Sequence, residues 1–207
     1  MGKGRFIVFE GGDCAGKTTQ VNRLSRRLRV AGIEHIVTRQ PGGTKTGDVV
    51  RSLLLDTDQD LDYRCEALLY SADKAQHLAE VVRPALDRGV VVLCDRYVDS
   101  MLAYQGFGRG IATDELEALA RWATSDMRPD LTVLLDVDPS QAVEIKGKKD
   151  RLESAGNEFH ARVRQGFLDL ASRDPQRYLV LNARDRISTI SDTISVEVAK
   201  LLGLESL

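Results

Sequence analysis

Cysteine is scarce in this chain of 207 residues: only Cys14, Cys65 and Cys94 are present, and they are widely spaced. No C-x-x-C pair and no histidine cluster accompanies them, so the sequence indicates neither a disulfide framework nor a zinc site. A basic excess is also missing, because 29 basic and 31 acidic residues leave a formal net charge of −2. Proteins that coat nucleic acids or lie on membrane surfaces carry such an excess. We therefore expect no nucleic-acid or membrane partner, and only local anion sites.

Long apolar runs are absent as well. No run approaches the roughly 20 residues that a membrane-spanning helix needs, and the first residues lead into a strand-like run without a signal-peptide pattern. We therefore expect a cytoplasmic protein. The length suits one compact domain, and we predict a single domain over residues 1–207.

What the chain does contain is a series of short apolar runs separated by long helix-compatible stretches. The runs cover residues 6–9, 35–38, 90–94, 131–137 and 178–181. Continuous Val, Ile and Leu indicate strands that are covered on both faces, as in a parallel sheet between helices. The predicted fold is α/β, a three-layer open parallel sheet of about five strands with helices on both faces. Ligands of such sheets bind beyond the carboxyl ends of the strands, so we expect the chemistry at residues 10–18, 39–44, 95–105 and from Asp136 onward.

A phosphate-binding loop follows the first of these runs. Residues 11–18 read Gly-Gly-Asp-Cys-Ala-Gly-Lys-Thr and fit the pattern G-x-x-x-x-G-K-[ST]. The helix that should follow has Val21, Leu24 and Leu28 on one face. Backbone N–H groups and the helix dipole bind polyphosphates at such a turn. Lys17 can reach the terminal phosphates, and the Thr18 hydroxyl can bind Mg²⁺.

The loop after the second run, Thr-Arg-Gln-Pro-Gly-Gly-Thr at residues 38–44, contains an arginine, a proline and two glycines. Guanidinium groups bind phosphate oxygens in a bidentate fork. The loop therefore either presents Arg39 to a phosphate or is a simple turn.

A dense polar segment follows the third run. Asp95 ends the strand and can hold Mg²⁺ directly or through water, while Arg96 can neutralise a second phosphate. A structural salt bridge between these two residues is the alternative. The helical spacing of Ser100, Tyr104 and Gln105 places all three toward one pocket, where they can bind a base or a sugar.

Taken together, four motifs in this order resemble the thymidylate kinase family. They are the phosphate loop with Asp13, the loop at residues 38–44, the Asp-Arg-Tyr-x-x-Ser-x-x-Ala-Tyr-Gln stretch at 95–105, and Pro129-Asp130 before a Leu-Leu-Asp strand. The resemblance runs over essentially the whole chain. It implies a nucleoside monophosphate kinase fold, a homodimer, and transfer of the γ-phosphoryl group of Mg·ATP to dTMP, which gives dTDP for dTTP synthesis.

The resemblance also implies residue roles. ATP would bind to Gly11, Gly12, Asp13, Cys14, Ala15, Gly16, Lys17, Thr18 and Thr19. Thr18 and Asp95 would hold the metal. The substrate dTMP would bind to Asp13, Arg39, Tyr70, Lys74, Arg96, Ser100, Met101, Tyr104 and Gln105. Tyr70 would stack on thymine, Lys74 would donate to a thymine carbonyl, and Arg39 and Arg96 would clamp the acceptor phosphate. The catalytic set would be Lys17, Asp13, Arg96 and Arg151, the last in a short lid at about 142–156.

Four residues depart from the family pattern. Cys14 stands where a glycine or a catalytic arginine is usual, so we expect the missing positive charge to come from the lid. Arg151 is the first candidate for this charge, and the lysines at 146, 148 and 149 are weaker ones. Gln40 replaces a usual acid. Lys74 replaces an arginine, and Met101 replaces a small polar residue, both beside the base. We therefore expect loose base discrimination. A kinase of another pyrimidine deoxynucleotide and a nucleotide-binding regulator with weak or no turnover remain alternatives.

Overall fold

A computed structural model describes residues 4–56, 58, 60–141, 152 and 155–207. Five strands form one sheet: β1 (Phe6–Glu10), β2 (His35–Arg39), β3 (Val91–Asp95), β4 (Leu131–Asp136) and β5 (Tyr178–Asn182). Their order in the sheet is β2-β3-β1-β4-β5, and every neighbouring pair is parallel. The predicted open parallel sheet is confirmed, and each strand lies within a residue or two of its apolar run.

Eight α-helices connect or follow these strands in the described ranges. They are α1 (Lys17–Val30), α2 (Lys45–Leu55), α3 (Tyr63–His77), α4 (Arg83–Asp87), α5 (Val98–Met101), α6 (Thr113–Thr124), α7 (Asn157–Arg173) and α8 (Ile187–Leu202). π-Helical segments at Leu78–Val82 and Leu102–Gly108 continue α3 and α5. None of these helices is both long enough and apolar enough to cross a membrane.

The two faces of the sheet bury alternate residues of the three central strands, as the two-residue repeat of a strand requires. Ile7 and Leu93 pack in the cluster that includes α1 and α8. Phe6 and Val8 pack in the cluster of the opposite face. The same alternation directs Glu10 and Asp95, at the ends of β1 and β3, to opposite faces of the sheet.

The prediction that all strands are covered on both faces is wrong for the two edges. Val37 of β2 is 49% exposed and Val180 of β5 is 45% exposed. Both strands have a sheet neighbour on one side only. A run of apolar residues does not distinguish an edge strand from a central one, because strand order is set by the helical crossovers.

Strand β1 lies between β3 and β4, so the loop after it is enclosed by both neighbours. Gly11 has φ +133°, and a Cβ there would lie 2.3 Å from the Leu135 carbonyl oxygen. Only glycine permits this approach to β4. The sheet thereby fixes the phosphate loop at its carboxyl edge.

Candidate active site

The phosphate loop turns sharply into α1. Gly16 is left-handed, with φ +89° and no atom within 4 Å of a Cβ position, and α1 begins at the next residue. The first N–H groups of a helix lack intrahelical partners, so they are available to an anion. The Lys17 ammonium donates to the Gly11 and Gly12 carbonyl oxygens at 3.0 and 2.8 Å. Burial, together with the nearby Arg96, lowers the pKa of Lys17 to about 8.

Cys14 and Thr19 lie on the outside of this turn. Both are exposed, and the Cys14 thiol is free. Cys14 is left-handed, with φ +58°, a conformation that is uncommon outside glycine. The backbone at position 14 therefore favours glycine.

The two predicted metal ligands are adjacent. The Thr18 hydroxyl lies 3.3 Å from Asp95 Oδ2, and Asp95 Oδ1 is buried without a hydrogen-bond partner among the described residues. A hydroxyl and a carboxylate are oxygen ligands that Mg²⁺ accepts alongside water and phosphate oxygens. The pair therefore fits a cation that is held largely by the nucleotide.

Arg96 connects the phosphate loop to the segment after β3. Its guanidinium donates to Asp13 Oδ1 at 2.5 Å, to the Gly11 carbonyl oxygen at 3.1 Å and to the Ser100 hydroxyl at 3.1 Å. Among the described residues, Arg96 forms its salt bridge with Asp13, not with Asp95 as the structural alternative required. Arg96 is also left-handed, with φ +68°, which costs about 1–3 kcal/mol and is typical of functional sites.

Asp13 is held from two sides. Its Oδ1 pairs with Arg96, and its Oδ2 accepts a hydrogen bond from the Tyr104 hydroxyl at 3.0 Å. Burial alone would raise the pKa of the Asp13 carboxyl, but Arg96 and Lys17 lower it below its ordinary value. The carboxylate is therefore ionised at neutral pH and neutralises the arginine.

A cavity of about 170 Å³ opens beside this ion pair. Eight of the nine predicted dTMP-binding residues line it: Asp13, Tyr70, Lys74, Arg96, Ser100, Met101, Tyr104 and Gln105. At one end, the Lys74 ammonium lies 5.3 Å from the centroid of the Tyr70 ring. Burial lowers the pKa of Lys74, so a hydrogen-bond acceptor from a ligand would stabilise its charge. The aromatic ring and the cation are one helical turn apart on α3, as the sequence predicts.

Arg39 is the ninth residue, and it does not line the cavity. Its side chain is 58% exposed, with Nη2 3.8 Å from Asp48 Oδ1. Arg51 of α2 lines the cavity instead, and it donates to the Pro41 carbonyl oxygen at 3.0 Å. The place of Arg51 in the cavity wall could not be predicted, because a lone arginine on an amphipathic helix resembles a solvated surface residue.

Gln40 and His77 form a buried pair that the sequence did not reveal. The Gln40 amide donates to His77 Nδ1 at 2.9 Å, and His77 Nε2 lies 2.6 Å from the Thr38 hydroxyl. His77 is fully buried, and burial, with Lys74 adding, lowers its pKa to about 4. His77 is thus a neutral buried group that ties α3 to the loop after β2.

Two further polar groups have structural partners. Gln105 donates to the buried Glu66 carboxylate at 2.6 Å. Asp136, the last residue of β4, accepts a bidentate pair of bonds from Arg164 at 2.7 and 2.8 Å. The expected lid at about 142–156 lies largely outside the described residues, and so do Arg151 and the lysines at 146, 148 and 149. Of that segment, Leu152 lines the cavity.

The sheet has this strand order, and the phosphate loop follows its central strand. A cavity lined by Arg51 and Arg96 lies beside that loop. Together these features are those of a phosphate-loop kinase of the nucleoside monophosphate type. The model of the thymidylate kinase family matches residues 9–194. The chain belongs to this family, and it is therefore an enzyme that phosphorylates dTMP to dTDP.

Individual relatives are similar over nearly the whole chain. A thymidylate kinase of Cutibacterium acnes is 56% identical over 201 residues, which are 97% of this chain and 98% of that protein. One of Deinococcus radiodurans is 54% identical over 186 residues, 88% of this chain and 90% of that protein. The crystal structure of the thymidylate kinase from Ehrlichia chaffeensis superposes with a TM-score of 0.76 at 34% identity, covering 97% and 99% of the two chains. These matches do not favour a regulator or a kinase of another nucleotide.

The buried His77 makes stability depend on pH. Because its folded pKa of about 4 lies below the ordinary 6.5, the unfolded chain binds a proton that the folded chain excludes. This contribution is complete above pH 6.5 and is lost as the pH falls toward 4, a change of about 3 kcal/mol in the free energy of unfolding. Urea unfolding of the wild type and of His77→Gln between pH 4 and 7 checks it. The difference between the two should shrink or reverse in favour of the variant at low pH, and parallel pH profiles would contradict the assignment.

Proposed function

We propose that the enzyme transfers the γ-phosphoryl group of ATP directly to a phosphate oxygen of dTMP, giving ADP and dTDP for dTTP synthesis. The observation that carries this proposal is the Arg96 guanidinium, which contacts both the phosphate loop and the cavity lined by Tyr70 and Lys74. One cation between the phosphate loop and a second ligand cavity suits a reaction in which two anions must be held in line.

On the acceptor side, Arg96 would exchange its bond to Asp13 for the dTMP phosphate. The thymine ring would lie on Tyr70, and Lys74 would donate to a ring carbonyl. Asp13 and Tyr104 already share a hydrogen bond at the mouth of the cavity, so both are placed for the deoxyribose and the phosphate. Arg51 is a second cation at the cavity wall, in the part that the sequence assigned to Arg39.

On the donor side, the loop from Gly11 to Thr18 would hold the ATP phosphates, with Lys17 turning from its carbonyl partners to the transferring group. Thr18 and Asp95 would hold Mg²⁺, which neutralises the developing charge of the β- and γ-phosphates when it is bound. As the new bond forms between the dTMP oxygen and the γ-phosphorus, the bond to the bridging oxygen of ADP breaks. Arg151 in the lid at 142–156 would add the positive charge that Cys14 does not supply.

The proposal includes a cytoplasmic location and a homodimer. All three cysteines are free, as is usual in the reducing cytosol. The outer faces of α2 and α3 expose Val49, Leu53 and Leu68 at 61%, 42% and 57%, and a patch of this kind marks an interface.

Sedimentation velocity tests the dimer. The wild type should sediment with twice the 22.9 kDa chain mass, and Leu68→Glu should move it toward the monomer because a charge is then buried in the interface. Val30→Glu, which changes an 85% exposed residue on α1, should leave the dimer intact. A monomeric wild type, or equal effects of both variants, would refute this interface.

Lys17→Met tests the phosphate loop. Removing the ammonium should lower kcat by about a hundredfold or more while dTMP binding and the fold persist, because the side chain faces the donor phosphates. Lys200→Met, which changes a 65% exposed lysine on α8, is the matched control and should keep wild-type turnover. ADP release with dTMP measures both, and a Lys17 variant of near-native activity would refute the donor site.

Base selection is the second kinetic test. Met101 is 1% exposed, and its sulfur accepts the Ser71 hydroxyl at 3.4 Å, so it offers the base a surface and no hydrogen bond. We expect kcat/KM to favour dTMP over dUMP by no more than about two hundredfold, the most that one methyl group supplies in an apolar pocket. A wild-type ratio well above that limit would contradict the prediction.

A further inference from the structure

Glu10 is a fully buried acid to which neither the motifs nor the proposed reaction gives a role. It is the last residue of β1, directly before the phosphate loop, and it is 0% exposed. Strand alternation directs its side chain away from α1, to the face that holds α5. A charged side chain at such a position needs partners.

Its partners all belong to the segment that follows Arg96. Oε1 accepts the backbone N–H groups of Tyr97 at 2.8 Å and of Ser100 at 3.2 Å. Oε2 accepts the Ser100 hydroxyl at 2.6 Å. Helix α5 begins at Val98 without a side-chain cap of its own from Tyr97. Glu10 of β1 therefore caps the N-terminus of α5, because it accepts hydrogen bonds from N–H groups that have no partner within the helix.

The same contacts hold Arg96 on both sides. Before it, the Arg96 N–H donates to the Phe9 carbonyl oxygen at 2.9 Å. After it, Glu10 fixes Tyr97. The hydroxyl that donates to Glu10 also accepts from the Arg96 guanidinium at 3.1 Å, so one Ser100 oxygen links the two side chains. A left-handed arginine relaxes when its surroundings no longer hold it.

We propose that Glu10 is a positioning residue that sets the backbone and the guanidinium of Arg96 for the acceptor phosphate. This inference rests on the proposed role of Arg96 in binding dTMP. Glu10 itself does not line the cavity. Its loss should therefore cost affinity for the phosphate group and leave the base and the donor nucleotide bound as before.

Calorimetric binding of dTMP and of thymidine separates these effects, because thymidine lacks the phosphate. Glu10→Ala should weaken dTMP binding by about tenfold to a hundredfold, the range for a lost charge-assisted bond, with thymidine binding and the KM for ATP unchanged. Glu10→Gln keeps an oxygen at full reach for the two N–H groups, but its amide nitrogen cannot accept the Ser100 hydroxyl, so its dTMP affinity should lie between those of the wild type and Glu10→Ala. Glu10→Asp keeps the carboxyl group but is one methylene shorter, and it should resemble Glu10→Ala.

A double-mutant cycle with Arg96→Ala gives the decisive readout. If Glu10 acts through Arg96, Glu10→Ala should add no further loss of dTMP affinity once the arginine is gone. Additive losses, equal weakening of dTMP and thymidine, or Glu10→Asp binding better than Glu10→Gln would overturn the proposal. Should Glu10→Ala fail to fold, the Gln and Asp variants decide it.

Val198→Ala controls for general destabilisation, because Val198 is a fully buried residue of α8 in the cluster on the opposite face. It should lower the melting temperature without changing the ratio of dTMP to thymidine affinity. A wild type that releases no ADP with dTMP would refute the proposed function. The binding cycle would still test Glu10, so the two failures are distinguishable.

Discussion

The site depends on the ion pair between the Asp13 carboxylate and the Arg96 guanidinium. These residues lie 83 positions apart and meet because β1 and β3 are neighbours in the sheet. Both are largely shielded from water, so each charge is stable there only while the other neutralises it or a ligand replaces it. A substrate phosphate is such a replacement, since it offers the guanidinium the same bidentate geometry as a carboxylate. Lys17 lies on one side of this pair and the cavity lined by Tyr70 and Lys74 on the other, so in the proposed reaction the pair separates the donor from the acceptor.

Most of the fold could be predicted from the sequence, because apolar runs and the glycine-rich turn are local signals. All five strands and the helix after the phosphate loop were predicted in this way. The exposure of β2 and β5 could not be, since it follows from strand order and not from composition. The position of a strand in the sheet is set by the long crossovers between strands. A run such as the one at 178–181 therefore does not indicate which strands lie beside it.

The residues of the site also divide into those that local sequence signals predict and those that depend on distant contacts. Residues inside contiguous motifs, such as Ser100 and Tyr104, line one cavity because helical spacing alone brings them to one wall. Arg51, His77 and Glu10 act through contacts distant in sequence, and nothing in their local surroundings distinguishes them from a surface, a packing or a strand residue. Arg39 is the converse case: its motif was informative, but its guanidinium lies outside the cavity. The physical reason is that a motif fixes the path of a loop more tightly than the direction of a long, exposed side chain.

The most direct measurement is a crystal structure of the enzyme with dTMP. The Arg96 guanidinium should have left Asp13 Oδ1 for a phosphate oxygen, with the thymine ring against Tyr70 and the Lys74 ammonium on a ring carbonyl. An intact Asp13–Arg96 pair, with the dTMP phosphate bound by other residues, would contradict the central role of this arginine.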